Sequence, residues 1–240
     1  MSARLFIGLV VLSGFAVLGN ALLHAGSENR MRFVCFLLVA CLAARLKVKL
    51  PGVTGTMSVN LPFILVAVAE MSAAEALLVG CFSALVQCLP SGQKKFNWIQ
   101  GLFNFANMAL AIGATRLLYN TAALESALPS RSLLLAVAAA GYFAVNSIPV
   151  AIIMGLTEKR SILRGWVAML GLSYPYYLAG AGVAGVVLSA SGHIGWQAPL
   201  MLLPLMAGVF YSYRRYFAAE GAPESEPHRA SQSATAVHAS

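Results

Sequence analysis

The chain has 240 residues, of which 59% are hydrophobic and 10% charged, with a net charge of +8. A soluble domain carries about 25% charged residues to keep its exterior solvated. Its eight acids are all glutamates, and a water-soluble globule, a disordered chain and a secreted disulfide scaffold are all excluded. The composition points to an all-α, polytopic transmembrane helical bundle.

Taken in chain order, eight apolar segments emerge, near residues 4–23, 31–48, 58–71, 73–89, 101–119, 131–156, 166–190 and 196–213. Each is a candidate span, because hydrocarbon leaves no water to satisfy an exposed backbone. The first resembles a signal peptide, but its apolar run is too long and no small-x-small cleavage site follows, so it is expected to stay as a span. The second is apolar only from Phe33 to Ala44, which requires Arg32 and Arg45 to snorkel toward opposite headgroup layers. The third and fourth are short and nearly continuous, with Glu70 and Glu75 at the join. They read either as two short spans or as a re-entrant hairpin, and either choice returns the chain to the same side.

Basic residues accumulate on the cytoplasmic side of spanning helices. With both termini inside, the alternate loops collect Arg45, Lys47 and Lys49, then Lys94 and Lys95, then Lys159, Arg160 and Arg164, then Arg214 and Arg215. The opposite face keeps only Arg30, Arg32, Arg116 and Arg131. The expected topology is therefore N-in and C-in, in a bacterial cytoplasmic membrane. The transmembrane domain is expected over 1–217, and residues 218–240 read as a disordered cytoplasmic tail, rich in Pro, Ser, Glu and Ala without periodicity. Basic residues in twos and threes between apolar runs are topology signals, so no nucleic acid partner is expected.

Chemistry-bearing residues are few. Cys35, Cys41, Cys81 and Cys88 lie in apolar runs with no C-x-x-C pair, and the histidines show no metal-ligand spacing. No metal or cofactor is expected, no catalytic set occurs, and the chain does not read as an enzyme. Ionisable residues inside a bilayer are functional suspects by default, which singles out Glu70 and Glu75. Glu75 beside it can cap the following helix with a first-turn negative charge. Asn104 and Asn107, at i and i+3, project from one helix face toward a neighbour or cavity. Asn146 precedes the kinking Pro149, where a freed carbonyl could lie alongside it. Ser173-Tyr174-Pro175-Tyr176-Tyr177 combines a proline break with three amphipathic rings. Asn104, Asn107, Asn146, Tyr174, Tyr176 and Glu70 are the candidate lining of a small-molecule cavity. Their plainer role is helix glue and interface anchoring. The small residues from Ala179 to Gly185 read as a close helix contact.

The run Leu46 to Asn60, centred on the Gly52–Asn60 turn, together with Glu75-Ala76-Leu77-Leu78-Val79-Gly80, Leu85-Val86-Gln87-Cys88 and Leu102 to Met108, resembles the N-terminal multi-pass region of bacterial MASE-like sensor proteins. In such proteins this region precedes a GGDEF, HD-GYP or histidine-kinase output domain. The resemblance covers roughly residues 30–190 and implies a sensor-like membrane module. This chain stops at a short tail and reads either as a stand-alone member, for which a separate signalling partner is expected, or as an excised input domain, and no cyclic-dinucleotide chemistry is carried over. The pattern of a Gly-rich turn, a Pro-containing helix and an Ala/Gly-rich helix is also similar to the substrate-binding membrane subunits of energy-coupling-factor vitamin transporters. That likeness implies a small-solute ligand and an ATPase partner. Either way, membrane lipids surround the bundle.

Overall fold

The computed structural model describes residues 2–24, 26, 29–49, 56–58, 60–90, 95–128, 130–159, 161–194 and 201–220. Nine α-helices and one short ladder are seen among them: α1 (Ala3–Leu23), α2 (Arg30–Arg45), β1 (Lys47–Lys49), β2 (Thr56–Ser58), α3 (Leu61–Glu70), α4 (Ala73–Cys88), α5 (Trp98–Tyr119), α6 (Ala122–Ala127), α7 (Arg131–Glu158), α8 (Ile162–Ile194) and α9 (Leu202–Glu220). Each of the eight apolar segments coincides with one helix. α6 is an addition, and so is the antiparallel β1–β2 pairing of Lys47 with Ser58 and Lys49 with Thr56. Residues 50–55 and 59 of the turn, and 221–240 of the expected tail, lie outside the described residues; α9 itself continues through Glu220.

Local signals explain the helix starts. Ser2, Asn29, Asn97 and Ser130 each accept the N–H three residues on, satisfying a donor that the first turn leaves orphaned. At α4 the device is reciprocal: the Glu75 N–H donates to Ser72 Oγ (3.3 Å), while the Ser72 N–H donates to Glu75 Oε2 (3.1 Å). This is the capping role available to Glu75, and it explains how α4 restarts two residues after α3 stops.

α5 is the hub of the bundle, packing against α1, α4 and α7, while α7 and α8 form an antiparallel pair, each interrupted by a proline, Pro149 and Pro175. α1 approaches α5 where Gly14 meets Ala106; a Cβ on Gly14 would lie 2.3 Å from the Ala106 carbonyl oxygen. α3 lies inside, against α8, α4 and α5, and every residue from Leu61 to Val68 is buried.

The perimeter is apolar. Val34, Leu38 and Leu42 form an exposed i, i+4, i+8 stripe on α2, and Leu5, Leu9 and Leu12 are exposed on α1. A surface with such stripes is built to be covered by something other than water. Among the described residues, α1 and α7 are long and apolar enough to cross a membrane, judged by length and composition.

Candidate functional site

The structure groups the candidate residues into three places rather than one cavity. The first is the α5–α7 contact. The Asn107 amide donates to the Asn146 carbonyl (2.8 Å) and to Asn146 Oδ1 (3.1 Å). Pro149 lacks an N–H and so releases the carbonyl four residues back, at Val145; the Asn107 acceptor is the next carbonyl along. The Asn107 amide thus meets Asn146 one residue from the carbonyl that the proline frees. Asn107 is only 2% exposed, and its Oδ1 has no hydrogen-bond partner among the described residues. The Tyr177 hydroxyl engages the Asn146 side chain from α8. Asn104 does not join this group: its amide donates to Cys88 Sγ (3.1 Å) on α4. One helix face at i and i+3 here serves two different neighbours.

The second place is α3. A helix of ten residues is about 15 Å long, half of the roughly 30 Å hydrocarbon thickness. Its ends are held by side chains of other helices. At the start, the Leu61 N–H donates to the Tyr176 hydroxyl (3.3 Å), while the N-cap residue Asn60 makes no side-chain capping bond. Tyr176, 3% exposed, is thus an end-cap for α3. At the finish, Arg116 Nη1 donates to the carbonyls of Val68 (3.1 Å) and Met71 (2.8 Å), two of the groups a helix C-terminus leaves without partners. Glu70 pairs with Arg32 of α2 and accepts from the Ser191 hydroxyl of α8. Arg32, the arginine that the α2 sequence places at the start of its apolar run, thus has a carboxylate of α3 as its partner. Between these ends α3 lies flush on α8, where Gly180 makes room: a Cβ there would meet Leu61 Cδ2 at 2.9 Å. Ala181 and Ala184 are buried on the same helix, which is the close contact that its small residues predict.

The third place is a cleft of about 200 Å³ between α7 and α8. Ala136, Ala140 and Ala144 give it one wall, and Phe143, Trp166 and Tyr177 supply rings. Tyr174 is 56% exposed and stands at its rim, well away from its neighbour Tyr176 in role. Trp166 is oriented by donating Nε1–H to Ser147 Oγ (2.8 Å), which in turn donates to the Phe143 carbonyl (2.6 Å).

Sequence reasoning missed Arg32, Arg116 and Ser191. The signal available was that Arg32 and Arg116 run against the charge asymmetry of the loops, which marks them as residues with a specific partner.

A family profile described as MASE9 matches residues 9–187. Comparison with curated proteins and with solved structures gives no match, for the transporter-subunit likeness or any other.

Proposed function

Because the chain belongs to the MASE9 family, a family of membrane-associated sensors, we propose that it is a multi-pass sensory input module in which the half-helix α3 is the responsive element. The observation that carries this reading is the way α3 is held. Both of its ends are satisfied by side chains from α2, α5 and α8, so its position depends on contacts that another molecule can compete for. Backbone that stops short of crossing is tolerated in a membrane only when buried in protein, and α3 meets that condition. In this reading α3 and α4 form a helical hairpin whose tip, at Met71 and Ser72, lies on the side of Arg32 and Arg116. A signal acts by binding one seating of α3 better than another, which is the requirement for any ligand-driven switch.

The reading keeps the N-in, C-in orientation that the Lys and Arg asymmetry of the loops favours. Arg32 and Arg116, two of the basic residues on the extracytoplasmic face, are engaged with the C-terminal end of α3. Their presence on that face has a structural reason, and the remaining asymmetry of Lys and Arg keeps its meaning as a topology signal. The module has no catalytic role here and passes its state to a separate signalling protein on the cytoplasmic side of a bacterial inner membrane. α9 packs against α2, α8 and β1, and is the element best placed to carry that change.

Hydrogen exchange in lipid nanodiscs tests the proposal. In Glu70→Gln and Tyr176→Phe variants, protection of the α3 amides should fall about tenfold or more, with α1 and α5 staying within about twofold. If α3 keeps its protection in both variants, or all helices loosen together, α3 is an ordinary part of the core and not a switch.

A further inference from the structure

We infer that the α7–α8 cleft is a binding site for an uncharged, single-ring aromatic molecule. This names the ligand class of the module proposed above and rests on that reading for its biological meaning.

Charge, size and shape each narrow the occupant. Among the described residues no charged side chain lines the cleft, and an ion placed there would lose its hydration with nothing in return. The volume of about 200 Å³ falls below the roughly 300 Å³ at which drug-sized pockets begin. It exceeds the roughly 150 Å³ of an engineered apolar cavity that holds benzene.

The walls favour a flat ring. Ala136, Ala140 and Ala144 recur every four residues, so one stripe of α7 presents only methyl groups and a plane can lie against it. The rings, Phe143 from α7 and Trp166 and Tyr177 from α8, have their directions already set. Phe143 and Tyr177 meet edge to face at 4.9 Å, and Trp166 lies 6.1 Å from Phe143 with its N–H tied to Ser147. Aromatic quadrupoles reward an added ring that continues the edge-to-face or offset pattern, and an acyl chain gains nothing from that geometry.

The cleft also has a route to the interior. Tyr177 is at once a wall of the cleft and the partner of Asn146, which receives Asn107 near Pro149. Tyr176, the next residue, holds the start of α3. A ring pressed on Tyr177 thus bears on the amide contact and on the half-helix through one turn of α8.

Trp166 is a built-in reporter. The chain has three tryptophans, so Trp98→Phe with Trp196→Phe leaves Trp166 alone in the full-length protein in nanodiscs. Titration with bromobenzene should quench Trp166 fluorescence saturably. Ala140→Leu, and independently Ala136→Leu, should fill the cleft and weaken that saturation at least about fivefold. Phosphatidylcholine with dibrominated acyl chains forms the second arm and should neither saturate Trp166 quenching nor displace bromobenzene. Quenching that stays linear with bromobenzene, or that the leucine variants leave unchanged, overturns the site. Displacement of the ring by the brominated acyl chains overturns the ligand class. These readouts do not depend on α3 moving, so loss of the ring site and loss of the α3 switch are separate results.

Discussion

α1 and α3 are both strongly apolar and are held in opposite ways. α1 runs for 21 residues and turns Leu5, Leu9 and Leu12 outward, touching the bundle along a narrow strip that includes Gly14. α3 runs for ten residues, buries every side chain from Leu61 to Val68, and ends against Tyr176 and Arg116. Hydrophobicity alone makes them look alike. α1 is placed by its surroundings and its length, and α3 by specific partners on other helices. The first should be robust to most substitutions, and the second should fail when a single partner is removed.

The largest test of that contrast is Arg116→Ala, which strips the donor from two carbonyls at the end of α3. Leaving such groups unsatisfied costs about 1–3 kcal/mol each, so a loss of about 3 kcal/mol is expected in reversible unfolding from mixed micelles. Arg116→Lys should recover part of it, since an ammonium can still reach one carbonyl. A loss below about 0.5 kcal/mol, the ordinary range for uninvolved surface positions, would mean that α3 does not depend on this arginine. Next comes α1 itself. A Cβ on Gly14 would lie 2.7 Å or less from three backbone atoms of Ala106, which cannot rotate away, whereas Gly8 and Gly19 have open space around them. Gly14→Ala should cost about 1–3 kcal/mol. Gly8→Ala and Gly19→Ala should stay within about 0.5 kcal/mol. Equal effects at the three glycines would remove the claim that α1 has one meaningful contact. The smallest effect is expected at the α5–α7 amides. Asn107→Ala should cost about 0.6 kcal/mol, up to about 1.7, the range for hydrogen bonds between membrane helices, measured in the same unfolding assay.

Which parts of this were legible in the sequence follows from the same contrast. Apolar runs are local, so the eight segments are found at nearly the right places. α6 escaped because six residues hold too little periodicity to register, and the β1–β2 ladder because two three-residue strands inside a Gly-rich turn carry no alternation worth reading. In the candidate site, Asn107 and Asn146 are legible because both are amides in apolar helices and each needs a partner. Glu70 attracts notice for the same reason. Its partners do not, since Arg32 and Ser191 lie 38 and 121 residues away and nothing local links them. The role of Tyr176 is hidden in the same way: its hydroxyl serves Leu61, 115 positions earlier, at a helix start whose own N-cap side chain does not do the work.

The hydroxyls of Ser83, Thr115 and Ser147 each donate to the carbonyl four residues back in their own helix, at 2.6 Å. These side chains are already paired when the helix is a lone cylinder, before it meets any neighbour. The amide of Asn107 is not, because its acceptor sits 39 residues further on and has yet to be synthesised. Synthesis therefore gives α5 an interval in which this amide has no acceptor, and the emergence of α7 is the event that closes it.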